Sequence, residues 1–207
     1  MQERAREPDA LEPYAGYDVL AKWNTPSFDD ATRAVLAERL SETPTRSFFL
    51  EEEFDLLAAI VERLAPPLQG LSPHLLALWI DKRLHDNFGE GFRSEDAPPL
   101  QQCWRIGLAA IDGEARRRFA SGFAALSMGD KEATLRAVRD GDTDSTLWRS
   151  LDAASFFSDT LLKTVAGLAY AHPLAWNDIG FGGPASPRGY VRLGFDSRDP
   201  WEARERR

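Results

Sequence analysis

Apolar residues in this chain recur at steps of three and four through one segment after another, and no alternating run is long enough to make a strand. A period near 3.6 commits the chain to amphipathic helices, whose apolar stripes must be buried on one another. The first such segment follows Ser27 as N-cap, with Asp29 and Asp30 at the positive end of the dipole, and carries Phe28, Ala31, Val35, Leu36 and Leu40 to about Glu42. The second, Glu51 to Leu64, spaces Phe54, Leu57, Ala58, Val61 and Leu64 in the same way and stops at Pro66-Pro67. A third opens at Pro73, where proline suits the first turn, and runs to about Phe88 before Gly89 and Gly91. After Pro98-Pro99, Leu100 to Ile111 and Glu114 to Leu126 read as two helices separated by Gly113. Asp130 to Val138 reads as a short helix ended by Gly141, and Asp152 to about Tyr170 has the broadest apolar face, with Phe156, Phe157, Leu161, Val165 and Leu168. The expected fold class is all-α: a single helical domain of about six to seven helices.

Both ends depart from this rule. Residues 1–26 are rich in Glu, Arg and Pro yet contain Tyr14, Tyr17, Val19, Leu20 and Trp23, the composition of an extended arm that orders by lying on something apolar. From Ala171 onward the helical period is lost. His172-Pro173, Trp176, Gly180-Phe181-Gly182-Gly183-Pro184, Gly189-Tyr190 and Pro200-Trp201 read as irregular structure dense in aromatics. About 35 residues without secondary structure are rare inside a compact domain and usually serve function or fold against a neighbour. The expected organisation is an arm over 1–26, a helical domain over 27–172 and a docking segment over 173–207. Large aromatics dominate interface energetics, so the candidate partner-binding residues are Tyr14, Tyr17, Trp23, His172, Trp176, Phe181, Tyr190 and Trp201. The competing reading of these aromatics is that they seal the domain's own helices.

The formal charge of −8, with Arg116, Arg117 and Arg118 set among acids, excludes the positive field that a phosphate backbone requires, so nucleic acid is not an expected partner. The most apolar stretch, Phe156 to Tyr170, is interrupted by Ser158, Asp159, Lys163 and Thr164 and is too short and polar to insert into a membrane. Residues 1–9 show neither an apolar run nor paired arginines, so the expected location is cytoplasmic as encoded. Cys103 is the single cysteine, which rules out an intrachain disulfide and a thiolate metal cage.

Three histidines are the candidates for neutral-pH proton transfer. His74 and His85 are eleven residues apart, about 16 Å along a helix, too far to share a metal, and read as helix-surface residues. His172 stands at a helix end, where an imidazole hydrogen-bonds the last carbonyls; a proton-transfer pair with Asp178 is the alternative. Gly180, Gly182 and Gly183 lack the lysine and the preceding strand of a phosphate-binding loop. The carboxylates Asp29-Asp30 and Glu51-Glu52-Glu53 stand at helix starts, where the dipole accounts for them. No catalytic, cofactor or metal residue is therefore assigned to this chain, and the expectation is a helper protein.

Taken in order, Phe48-Phe49-Leu50-Glu51-Glu52-Glu53, Ile60-Val61-Glu62-Arg63-Leu64-Ala65-Pro66, Trp79-Ile80-Asp81, the Phe123/Leu126 turn, Phe156-Phe157 and Ala169-Tyr170-Ala171-His172-Pro173 running on to Gly182-Gly183-Pro184 resemble the gluconate 2-dehydrogenase subunit 3 family over most of residues 48–195. The resemblance implies a small accessory subunit without catalytic activity of its own. It would bind, stabilise and help mature a large FAD-dependent subunit of the glucose-methanol-choline oxidoreductase type. The FAD belongs to that partner, this chain holds no cofactor, and a cytochrome c subunit is a further implied partner. A chaperone released after flavin insertion is the alternative within the same resemblance, and a stand-alone helical enzyme using His172 and Asp178 the alternative outside it. The sequence departs from the family in two ways. It has no twin-arginine signal, so a periplasmic location would require export with a partner that carries one. Leu50 also stands where Ser or Thr would cap the Glu51 helix, at a cost of about 1 kcal/mol.

Overall fold

The computed structural model describes residues 14, 16–66, 68, 70–87, 98–184 and 203–204. These residues are helical with no strand among them, as the spacing requires. The helices are α1 (Asp30–Ser41), α2 (Glu51–Leu64), α3 (Pro73–His85), α4 (Leu100–Phe119), α5 (Met128–Asp140), α6 (Ser145–Trp148), α7 (Ala153–Ser155), α8 (Lys163–Ala171) and α9 (Pro173–Ile179), with 3-10 turns at Val19–Lys22 and Phe123–Ala125 and a π-helix over Phe156–Leu162. The chain divides into a terminal unit, formed by residues 1–42, 68–70 and 170–207, and a central unit, formed by 43–67 and 71–169.

In the central unit α2 packs on α3 and α4 on α5. Its core holds Leu57, Ile60, Val61, Leu76, Ile80, Leu108, Ile111 and Phe123, the inward positions of their helices. Local chemistry sets the helix ends. Ser72 caps α3 by accepting from Leu75 N–H, with Pro73 at the first helical position, and Ser127 caps α5 by accepting from Asp130 N–H. Gly141 ends α5 in the left-handed region, as read from the sequence. At α2, Leu50 offers no side-chain acceptor, but Glu53 Oε2 takes the Leu50 N–H at 3.0 Å, half of a capping box.

The structure corrects several local expectations. Gly113 does not divide two helices: α4 runs unbroken through it, because a glycine there admits the Leu147 side chain, which a Cβ would meet at 3.1 Å. The helix ends instead at Ala120, in the left-handed region with φ +54°. Phe123 consequently leaves the helix and fills the core from a 3-10 turn, held by Asp112 Oδ1 accepting its N–H at 2.8 Å. Asp29, not Ser27, caps α1, accepting from Thr32 N–H at 2.7 Å. The helix expected over Asp152–Tyr170 is present, capped by Asp152, but it widens into π-helix at Phe156. There the Phe156 ring lies directly over Gly107 of α4 and stacks edgewise on Trp104, with centroids 6.0 Å apart.

Candidate functional site

The terminal unit is built from both ends of the chain, and it gathers six of the eight candidate partner-binding residues; Tyr190 and Trp201 lie outside the described residues. Irregular structure was expected from Ala171 onward, yet Pro173–Ile179 is helical. His172 provides the N-cap, Pro173 the first helical position, and Gly180 the left-handed C-cap at φ +66°. A helix this short leaves no periodic signature, and its caps are its only sequence signal.

Around α9 the arm and α1 close a small apolar core of Val19, Phe28, Leu36 and Trp176, against which Tyr17, Leu20 and Trp23 pack half-buried. Trp176 is 4% exposed; its indole N–H donates to Tyr170 O at 2.9 Å and its ring meets Phe181 edge to face at 5.3 Å. Trp23 stands edge-on to Phe28, and Arg33 of α1 reaches back to the Trp23 and Phe28 carbonyls, fixing the turn between them. Polar contacts join the two chain ends directly. Val19 N–H donates to Asn177 Oδ1 at 2.8 Å, Tyr17 OH lies 3.4 Å from the Phe181 carbonyl, and Lys22 Nζ donates to Gly182 O. Lys22 also lies 5.5 Å from the Phe28 ring centroid, a cation–π distance.

The six described candidates thus separate by burial. Trp176 and His172 are spent inside the unit, while Tyr14, Tyr17 and Trp23 are half-buried and Phe181 is 41% exposed. Ile179, which the sequence reading passed over, is 42% exposed on α9 two residues from Phe181. Its apolar character beside Gly180 was the available signal.

Two close glycine approaches position the arm. A Cβ on Gly180 would meet the Tyr14 ring at 2.6 Å, and one on Gly183 would meet Phe28 at 3.3 Å. Gly180→Ala is therefore expected to combine a left-handed penalty of about 1 kcal/mol with eviction of Tyr14. Limited proteolysis should cut the arm several-fold faster in that variant, with the central unit still protected.

His172 is the most engaged residue of the unit. Its Nδ1 accepts from Leu174 N–H at 3.3 Å and its Nε2 lies 3.1 Å from Arg39 O, while Arg39 Nη1 donates to Ala171 O at 3.1 Å. The imidazole therefore caps the following helix and ties it to α1 rather than bonding the last carbonyls of its own helix. Burial pushes its pKa below the ordinary histidine value; the Arg39 charge acts the same way, against the hydrogen bond to the Arg39 carbonyl.

In the central unit, two buried carboxylates that the sequence reading did not single out organise backbone rather than chemistry. Asp81 accepts amide N–H groups from Ser47, Phe48 and Phe49. Glu114 takes Arg117 Nη2 at 2.7 Å and the Asp144 amide at 2.6 Å. An acid inside an apolar helical stripe, Ile80-Asp81 or Ile111 to Ala115, was the signal. His74 and His85 are exposed on α3. Burial raises the Cys103 thiol pKa, against a hydrogen bond with Thr160. Among the described residues no three His, Cys, Asp or Glu side chains converge as metal ligands, and no helix is long and apolar enough to cross a membrane.

Neither the curated proteins nor the solved structures provide a match. The family model described as gluconate 2-dehydrogenase subunit 3 matches residues 51–183, from the first residue of α2 to the glycine beneath Phe28. With more than half of its length under that match, the chain belongs to the gluconate 2-dehydrogenase subunit 3 family.

Proposed function

We propose that this chain is the non-catalytic small subunit of a flavin-dependent sugar, sugar-acid or alcohol dehydrogenase, and that it docks through the terminal unit onto the FAD-containing large subunit. The observation that carries the reading is the exposed Phe181 and Ile179 on a unit in which Asn177, His172 and Trp176 already spend their polar atoms on internal partners. Side chains of this kind, held on a braced scaffold, fit protein association better than chemistry. The large subunit is of the glucose-methanol-choline type and holds the FAD, and this chain supplies no residue to it. Electrons leave through a cytochrome c or another acceptor. Assembly takes place in the cytoplasm, and the complex reaches the periplasm when the large subunit carries a twin-arginine signal.

The enzyme alternative fares poorly on geometry, because both ring nitrogens of His172 are committed to backbone partners, leaving neither available to a substrate. Co-expression with a candidate FAD-containing large subunit of the glucose-methanol-choline type tests the proposal. The two should co-purify, and Phe181→Glu should weaken the complex by a factor of about 30 or more, roughly 2 kcal/mol for an aromatic anchor, while the isolated chain, which loses the edge contact to Trp176, still melts cooperatively. A monomeric, cooperatively melting chain that captures no flavoprotein overturns the subunit reading. Raised flavin loading together with absence from the mature enzyme supports the chaperone alternative.

A further inference from the structure

The capping geometry of His172 makes the terminal unit sensitive to a single proton. Leu174 N–H can only donate and the Arg39 carbonyl can only accept, so the ring they flank must be the neutral tautomer with its proton on Nε2. A second proton would have to sit on Nδ1, turning the acceptor of the α9 cap into a donor facing another donor at 3.3 Å. The Nε2 bond to α1 would survive that change, whereas the α9 bond would not. Because α9 carries Trp176 into the small core and Asn177 onto the arm, the loss would spread from the cap to both.

We propose that His172 is a proton-operated latch: neutral, it caps the start of α9 while bonded to the end of α1, and on protonation the cap is lost, so that α9 loosens and with it the N-terminal arm. The latch belongs to the chain itself and operates whether or not the surface it holds binds a flavoprotein.

The charged and titratable groups on the elements around the ring are Asp30, Arg33, Glu38 and Arg39 from α1, Glu42 just beyond it, Lys163 and Tyr170 from α8, Asp178 from α9 and Lys22 from the 3-10 turn; the 68–70 stretch contributes none. Of these, Arg39 is the one whose charge acts on the imidazole, and it opposes protonation, as burial does. The closed form therefore binds its proton more weakly than the open form, whose histidine titrates near the ordinary value of about 6.5. The closed form has its full advantage above about pH 6.5 and loses it as the pH falls through the depressed value. Once both values are passed the linkage is spent, so the response is confined to the mildly acidic range.

Amide exchange on the full chain between pH 8 and 5, corrected for the chemical exchange rate, tests the latch at two reporters, Leu174 N–H and Val19 N–H. Between the two pKa values their opening should increase by up to about tenfold per pH unit, while amides of α2 in the central unit stay flat. His172→Asn keeps a side chain that caps helices and cannot titrate, so its two reporters should show no such slope. Equal slopes in wild type and variant overturn the proposal. Should the variant fail to fold, direct NMR titration of the wild-type His172 imidazole decides, read against the ordinary histidine value of about 6.5. Titration clearly below that value, with the Leu174 amide opening over the same pH range, supports the latch, and titration at or above it overturns it.

Discussion

Asp81→Ala is expected to lower the stability of the central unit by about 4 kcal/mol, the largest effect of any single substitution considered for this chain. The carboxylate is 0% exposed in the C-terminal half of α3 and is held by successive backbone amides of the segment entering α2. Oδ2 accepts from Ser47 at 2.5 Å and from Phe48 at 3.0 Å, and Oδ1 accepts from Phe49 at 2.8 Å. Alanine removes both acceptor oxygens at once. It leaves three N–H groups to find water or stay orphaned, with the buried Phe49 attached to the same backbone. Asp81→Asn should recover little, because its NH2 would face an amide donor where an oxygen now accepts. Urea unfolding measures the difference: both variants should shift the midpoint strongly while the slope stays close to wild type. An asparagine variant as stable as wild type would show that one acceptor is enough and that the carboxylate is not required.

Gly107→Ala is the second large effect, and its sign runs against helix propensity. In an exposed helix interior the exchange stabilises by up to about 1 kcal/mol. At position 107 the new Cβ would lie 2.2 Å from Phe156 Cζ, inside a ring that has Trp104 on one side at 6.0 Å and Trp148 on another at 5.8 Å. The ring has nowhere to retreat, and overpacking of about 3 kcal/mol outweighs the propensity gain, for a net loss of roughly 2 kcal/mol. For a chain of this size that corresponds to a fall in melting temperature of roughly 4–8 °C. Gly167→Ala in α8, where nothing lies within 4 Å of the added carbon, should move the melting temperature slightly upward. Truncating the obstructing ring, Phe156→Leu in the Gly107→Ala background, should cost less than in wild type, a coupling that a double-mutant cycle reads directly.

These two sites mark the boundary of what the sequence could reveal about packing. Glycine 113 and glycine 107 look identical as letters inside a helical period, and Gly113 was read as a break. Both are instead places where a neighbouring side chain enters the space a Cβ would take: Leu147 in one case, Phe156 in the other. Nothing local to α4 names those neighbours, which come from 34 and 49 residues along the chain. Asp81 has the same character. Its place among Ala77, Ile80 and Leu84 marks the buried face of α3, but its partners lie more than thirty residues earlier, in a segment with no periodic pattern.

The terminal unit is an intermediate case. The arm and the C-terminal segment were recognisable as aromatic stretches outside the helical rule, and Tyr14, Tyr17, Trp23, His172, Trp176 and Phe181 all fall in one unit. Their differing burial was not recognisable. Trp176 and Phe181 are five residues apart and similar in chemistry, yet α9 turns one into the core and leaves the other in water.

The sequence by itself determined the all-α class, most helix ends and the family, because a 3.6-residue period, proline and glycine stops and capping side chains act within a few residues of one another. Only the tertiary structure decided that α1 joins the two chain ends, that His172 at the start of α9 bonds the end of α1, and that Phe181 rather than Trp176 faces outward. Those outcomes depend on which surfaces meet across more than a hundred residues of chain, and burial of a side chain is a property of the meeting, not of the residue.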